Sequence, residues 1–111
     1  MEKHRHFSDF CIAGFSYWDG CLAFKDLEIG TELALQREPD NKFDPYAVAV
    51  YYNDLKLGFI PRGHNHEISK FLDMGYTGLF EVRINRKNKT ENPEQQIGVI
   101  VYIRQKPKVA E

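Results

Sequence analysis

The densest chemistry in the chain lies at residues 38–46, between two expected strands. Asp40, Asn41 and Asp44 surround Phe43, and Pro39 and Pro45 frame them. Proline locks its own φ, so two of them stiffen the segment. A stiff loop that holds hydrogen-bond acceptors beside an aromatic ring suits a small polar target. The same Asp and Asn side chains also bond to nearby backbone amides and build turns. Composition weighs these two readings equally.

Two further places could do chemistry. Tyr17 and Trp18 are neighbours in a segment that ends at the turn dipeptide Asp19-Gly20. On a strand, adjacent side chains point to opposite faces, so one of the pair is expected in the core and the other in solvent. An aromatic exposed near basic groups is a stacking platform for unpaired bases. The third place is Pro61-Arg62-Gly63-His64, at a strand-to-helix junction. A guanidinium beside a helix N-terminus can hold a phosphate, though an ordinary surface arginine is the plainer reading.

Signals for catalysis are missing. The chain has no phosphate-binding Gly-x-x-x-x-Gly-Lys-Ser/Thr loop and no Gly-x-Ser-x-Gly elbow. No Ser, His and acidic residues fall at a triad's spacing, so no catalytic residue and no cofactor is assigned. His4, His6, His64, His66, Cys11 and Cys21 are zinc-competent types, but their spacing fits no standard finger. The histidines are read as solvated and no metal site is assigned. The two cysteines form no Cys-x-x-Cys pair and are expected as free thiols on or near the core.

The elements that must position these residues follow from hydrophobic periodicity. Residues 10–14 form an apolar run, read as a buried strand. Residues 21–30 give no clear period; Phe24, Leu27 and Ile29 are expected to cover one end of the core. Residues 31–37 alternate, with Leu33, Leu35 and Arg37 on one face, and read as a half-buried strand. Residues 47–52 and 55–60 form a hairpin around Asn53 and Asp54, ended by Pro61. Ile68, Phe71 and Leu72 mark a helix at 64–74, with Asn65 as its cap and Gly75 as its stop. Residues 76–84 alternate again, 86–94 read as a polar loop, and 97–103 as a last strand. A leader at 1–8 and a tail at 105–111 bracket a domain at 9–104.

About six strands joined by short turns, with one or two short helices, make a mostly β fold, an antiparallel sheet curling into a barrel. The 111 residues fit one such domain. The aromatic share of 14% is high, and large flat side chains fill a small barrel with few residues. The net charge of −1 removes the case for sequence-independent binding along a phosphate backbone. No stretch approaches the ~20 apolar residues of a membrane span. Residues 1–9 hold no apolar signal core, so a soluble cytoplasmic protein is expected.

Three ordered blocks resemble the HIRAN domain. The first is the run ending at Gly14, followed by Tyr17, Trp18 and Gly20. The second, residues 35–50, includes Arg37-Glu38-Pro39-Asp40-Asn41-Lys42-Phe43-Asp44-Pro45-Tyr46-Ala47-Val48. This is similar to the family's Arg-x-Pro-x-Asn-x-aromatic-Asp-Pro-x-Ala-hydrophobic pattern. The third is Leu57-Gly58-Phe59-Ile60-Pro61-Arg62. The resemblance covers residues 10–86 and extends to stand-alone bacterial members. It implies an OB-like β-barrel with a packed helix, no catalysis of its own, and DNA as partner. In fork-remodelling helicase relatives the domain grips the free 3′ end of single-stranded DNA.

Carried over by position, the resemblance implies that Tyr17 stacks on a base, with Trp18 beside it. Asn41 and Asp44 occupy the loop's polar positions, and Asp44 would accept a hydrogen bond from a terminal 3′ hydroxyl. Phe43 keeps a stacking face without the hydroxyl of the family's frequent Tyr. Arg62 falls near a basic position that reaches a phosphate. Ser16 stands where a relative carries Arg, which removes a phosphate contact. Two rival readings remain: a protein-interaction module using an exposed groove or barrel edge, and, more weakly, a metal-dependent nuclease with Asp40 and Asp44 holding Mg²⁺.

Overall fold

A computed structural model describes residues 4–89 and 91–105, the Glu94 side chain excepted. It contains β1 (His4–Cys11), α1 (Gly20–Ala23), β2 (Glu32–Arg37), β3 (Val48–Tyr52) and β4 (Leu55–Phe59). These are followed by α2 (His66–Asp73), β5 (Phe80–Lys87), α3 (Pro93–Gln96) and β6 (Ile97–Arg104). Short 3₁₀ turns occupy Phe15–Tyr17, Phe24–Asp26 and Arg62–His64. The six strands form one antiparallel sheet in the order β1-β6-β5-β2-β3-β4. The fold is mostly β, as the alternation implies.

The register places the expected apolar positions inside. Leu33 on β2 pairs with Val82 on β5, which pairs with Val101 on β6, and all three are buried. Each such side chain is worth about 1.5–3 kcal/mol when fully removed from water. The first three residues of β3, Val48, Ala49 and Val50, are all buried, as befits a strand covered on both faces. The hairpin turn lies where expected, and Asn53 supplies its positive φ of 52°.

The outermost strands do not end as free edges along their whole length. Just past β1, Ala13 and Phe59 exchange both backbone hydrogen bonds at 2.9 Å, so the chain leaving one edge is tied to the other. Gly58 makes this possible. Its φ is +147°, and a Cβ there would lie 2.3 Å from the Ala13 carbonyl oxygen.

α2 packs through Ile68 and Phe71, the latter edge-on to Phe80 with centroids 5.9 Å apart. Its end is a Schellman motif: Tyr76 N–H donates to Phe71 O and Gly75 N–H to Leu72 O, with Gly75 at φ +92°. That motif accounts for one correction. The strand expected from residue 76 starts at Phe80, because Tyr76 and Gly75 are still closing the helix.

A second correction concerns the leader. Residues 4–8 belong to β1, where His4 pairs with Arg104 and its ring stacks on Tyr102 at 4.0 Å. His4, Arg5 and His6 are polar because the start of that strand is exposed, and Phe7, packed against Phe80, is too isolated to show its period. Residues 1–3 and 106–111 lie outside the described residues. Ile29, expected on the core, is 68% exposed, whereas Leu27 is buried. Both cysteines are free, Cys21 exposed and Cys11 part-buried. Among the described residues no helix is long and apolar enough to cross a membrane.

Candidate functional site

The turn carrying Tyr17 and Trp18 is held from below. Phe15 is buried and meets Phe24 edge-on, and Gly20 lies so close that a Cβ would fall 2.6 Å from the Phe15 carbonyl oxygen. Asp19 docks the turn onto β4: its N–H donates to Lys56 O at 2.8 Å, and its carboxylate accepts from Lys56 N–H at 3.3 Å. Tyr17 is therefore 82% exposed and Trp18 45%. Neither is core, contrary to the strand-based expectation, because the segment is a 3₁₀ turn on which both rings stay outside. Trp18 leans edge-on against Phe59 and lies 3.9 Å from Lys56 Nζ, a cation–π contact. Lys56 in turn pairs with Glu38 at 2.6 Å.

The loop after β2 is built by its own polar side chains. Asn41 Oδ1 accepts from the N–H groups of Phe43 and Asp44, at 2.9 and 3.1 Å, and its Nδ2 donates to Glu38 Oε1. Asp44 Oδ1 accepts from Tyr46 N–H at 2.9 Å. Arg37 donates to the carbonyls of Pro45 and Ala47 and pairs with Asp73, tying the loop to the end of α2. The turn-building role of these residues is thus present in full. The loop it builds leaves Phe43 84% exposed. An aromatic ring held in solvent by a braced loop adds little to the fold and presents a face for stacking.

The third wall comes from the end of β4. Arg62 Nη2 donates to Phe43 O, and Arg62 Nε stands 3.8 Å from Asp44 Oδ2. The Asp44 side chain is only 14% exposed, whereas that of Arg62 is 73% exposed. Together the turn, the loop and the β4 exit enclose a cleft of about 310 Å³. That is at the lower end of the range for small-ligand pockets, roughly 300–1,000 Å³. Five of the six residues singled out in the sequence, Trp18, Asn41, Phe43, Asp44 and Arg62, line it. Tyr17 does not line it and projects from the turn next to Trp18.

Two contributors were not legible as site residues. Phe59 lines the cleft, and Lys56 holds Trp18 in place. Their signal is weak, because both read as ordinary members of a hairpin. The histidines have separate partners: His4 with Glu81, His6 with Asp9, His64 with Ser8 and His66 with the Tyr46 ring. Among the described residues no group of three or more His, Cys, Asp or Glu is placed to hold a metal ion.

No curated protein matches this sequence. A crystal structure of a protein from Lactobacillus plantarum is similar to it, with a TM-score of 0.78 at 21% identity, covering 96% of this chain and all of that one. The HIRAN domain of human HLTF superposes with a TM-score of 0.67 at 17% identity, covering 93% of this chain and 80% of that one. The sequence profile of the HIRAN domain matches residues 6–106. With this match along nearly its whole length, the chain belongs to the HIRAN domain family, a family known for DNA binding and generally a non-catalytic binding module.

Proposed function

We propose that this domain binds single-stranded DNA and reads its 3′-hydroxyl end in the cleft between the Trp18 turn, the 38–47 loop and the β4 exit. The observation that carries the reading is the exposed ring of Phe43, braced at the mouth of a cleft that also holds a carboxylate and a guanidinium. Terminal bases stack on Phe43 and Tyr17, with Trp18 as a side wall. Asp44 accepts the hydrogen bond of the terminal 3′ hydroxyl, and Asn41, beside it, contributes to holding the terminal sugar. Arg62 meets a phosphate. A 3′ phosphate offers no such donor at neutral pH and meets like charge at Asp44, so the carboxylate discriminates between ends.

The test is fluorescence anisotropy with a short strand labelled at its 5′ end and carrying either a 3′ hydroxyl or a 3′ phosphate. The parent binds the hydroxyl strand more tightly, and Asp44→Ala removes that preference. Equal binding of the hydroxyl strand by Asp44→Ala and by the parent would sink the end-reading role. Because Asp44 also holds Tyr46 and Asn65, a melting curve of the variant accompanies the titration.

A second reading, a peptide-binding module, is favoured by one observation. Arg62 in the cleft wall already stands by Asp44, and Lys56, behind Trp18, is paired with Glu38, which weakens the pull on phosphate. It predicts no preference between DNA ends and no dependence on Asp44.

A further inference from the structure

Asn65 occupies the N-cap position of α2, and yet its side chain makes no cap hydrogen bond. Asparagine at that position normally accepts from a backbone N–H of the first turn. Here the amide turns the other way: Nδ2 donates to Asp44 Oδ2 at 2.8 Å, across 21 positions of sequence. Asn65 is 1% exposed, and its Oδ1 is buried without a hydrogen-bond partner. An asparagine amide can rotate by half a turn and exchange donor for acceptor. Facing an ionised carboxylate, only the NH₂ can point at Oδ2, because the opposite rotamer sets two acceptors against each other. The αR backbone of Asn65 (φ −100°, ψ −17°) keeps its side chain away from the first-turn amides, and the amide instead leaves a carbonyl oxygen unsatisfied and places one fixed donor on Asp44.

We infer that Asn65 is the positioning residue of the end-reading carboxylate. This inference rests on the function proposed above. Asp44 Oδ1 accepts from Tyr46 N–H, and Oδ2 is the oxygen that Arg62 Nε, on the cleft wall, approaches to 3.8 Å. The Asn65 donor takes one acceptor position of Oδ2 and fixes the plane of the carboxylate. The remaining acceptor position of Oδ2 is then held toward the cleft, where a terminal hydroxyl would meet it. Without Asn65 only Tyr46 N–H orients the carboxylate, Oδ2 closes on the Arg62 guanidinium that already stands 3.8 Å away, and the geometry that separates a hydroxyl from a phosphate is lost. Asn65 itself, being buried, touches no ligand.

The experiment compares the parent, Asn65→Leu and Asn65→Ser with the same two labelled strands. Asn65→Leu keeps the branched shape and removes the donor, and Asn65→Ser, smaller than the parent, is too short for its hydroxyl to reach Asp44 Oδ2. Each variant is checked by its melting curve and by its amide NMR spectrum. The expected result is a folded Asn65→Leu whose preference for the 3′-hydroxyl strand falls at least fivefold toward unity, while its affinity for the 3′-phosphate strand stays within twofold. A merely structural role would weaken both strands alike. If Asn65→Leu fails to fold, Asn65→Ser carries the same comparison. A second readout needs no DNA: in the parent the Asn65 side-chain NH₂ gives a shifted, slowly exchanging pair of signals, and Asp44→Ala moves it. A parent that prefers the hydroxyl strand, with folded Asn65 variants that keep the full preference, overturns the role of Asn65 and leaves the end-reading in place. A parent that treats both ends alike overturns both.

Discussion

At the scale of the residue, Phe43 and Asn41 divide the work of one loop. Asn41 turns its carbonyl oxygen and an amide hydrogen inward to build it. Phe43 makes no comparable contribution to the fold and stands in solvent. Phe43→Ala should therefore weaken single-strand binding by the value of one stacked base, about 1–3 kcal/mol, or roughly 5- to 150-fold. It should change stability by no more than about 0.5 kcal/mol, as for an exposed site. Anisotropy and a urea melt of the same sample separate the two effects. The Phe43 site was legible because its motif is local: prolines, acceptors and ring lie within a few positions. Asn65 was legible only as a cap. Its partnership with Asp44 is made by the fold, when the β4 exit brings α2 beneath the loop. The expectation that one of Tyr17 and Trp18 is core failed for a related reason, since a 3₁₀ turn follows neither the strand period nor the helix period.

At the scale of the element, hydrophobic alternation located β2, β3, β4 and β6 closely. It failed where strands begin without apolar residues, as β1 does, and where helix-closing residues resemble a strand, as at Tyr76. The short α3 was read as loop because one turn of helix leaves no period. What alternation could not reveal is the join between Ala13 and Phe59, which depends on a glycine's missing side chain. Gly58→Ala would place a methyl group against the Ala13 carbonyl at a positive φ, and so part the two strands. The expected cost is about 3 kcal/mol or more. The check is a denaturation midpoint that falls sharply in Gly58→Ala with little change in slope, whereas Gly63→Ala, in open space, stays close to the parent.

At the scale of the whole molecule, charge and pH set the working range. A cleft whose guanidinium already stands by Asp44 engages one or two phosphates, so the affinity should fall only about three- to sevenfold between 50 and 200 mM salt. A much steeper slope would mean a larger phosphate footprint than this cleft provides. On the outer face of the sheet, Glu81 is buried and links β5 to β1. A hydrogen bond from Arg83, and then one from His4, holds its carboxyl below the ordinary value of 4.5. A depressed folded-state value contributes stability that is complete above the unfolded value and is lost as the pH falls through the folded one. Glu81→Gln should therefore cost stability at neutral pH, and the gap from the parent should narrow below about pH 4.5, in urea melts taken across that range. The Ala13–Phe59 pair ties these scales together, because both residues also line the cleft. The seam that joins the sheet's edges is thus a wall of the proposed binding site. Filling the site braces the seam, so the binding energy is added to the stability of the fold, about 2.7 kcal/mol at a hundredfold excess over Kd. The melting temperature therefore rises with occupancy and reports it without any label.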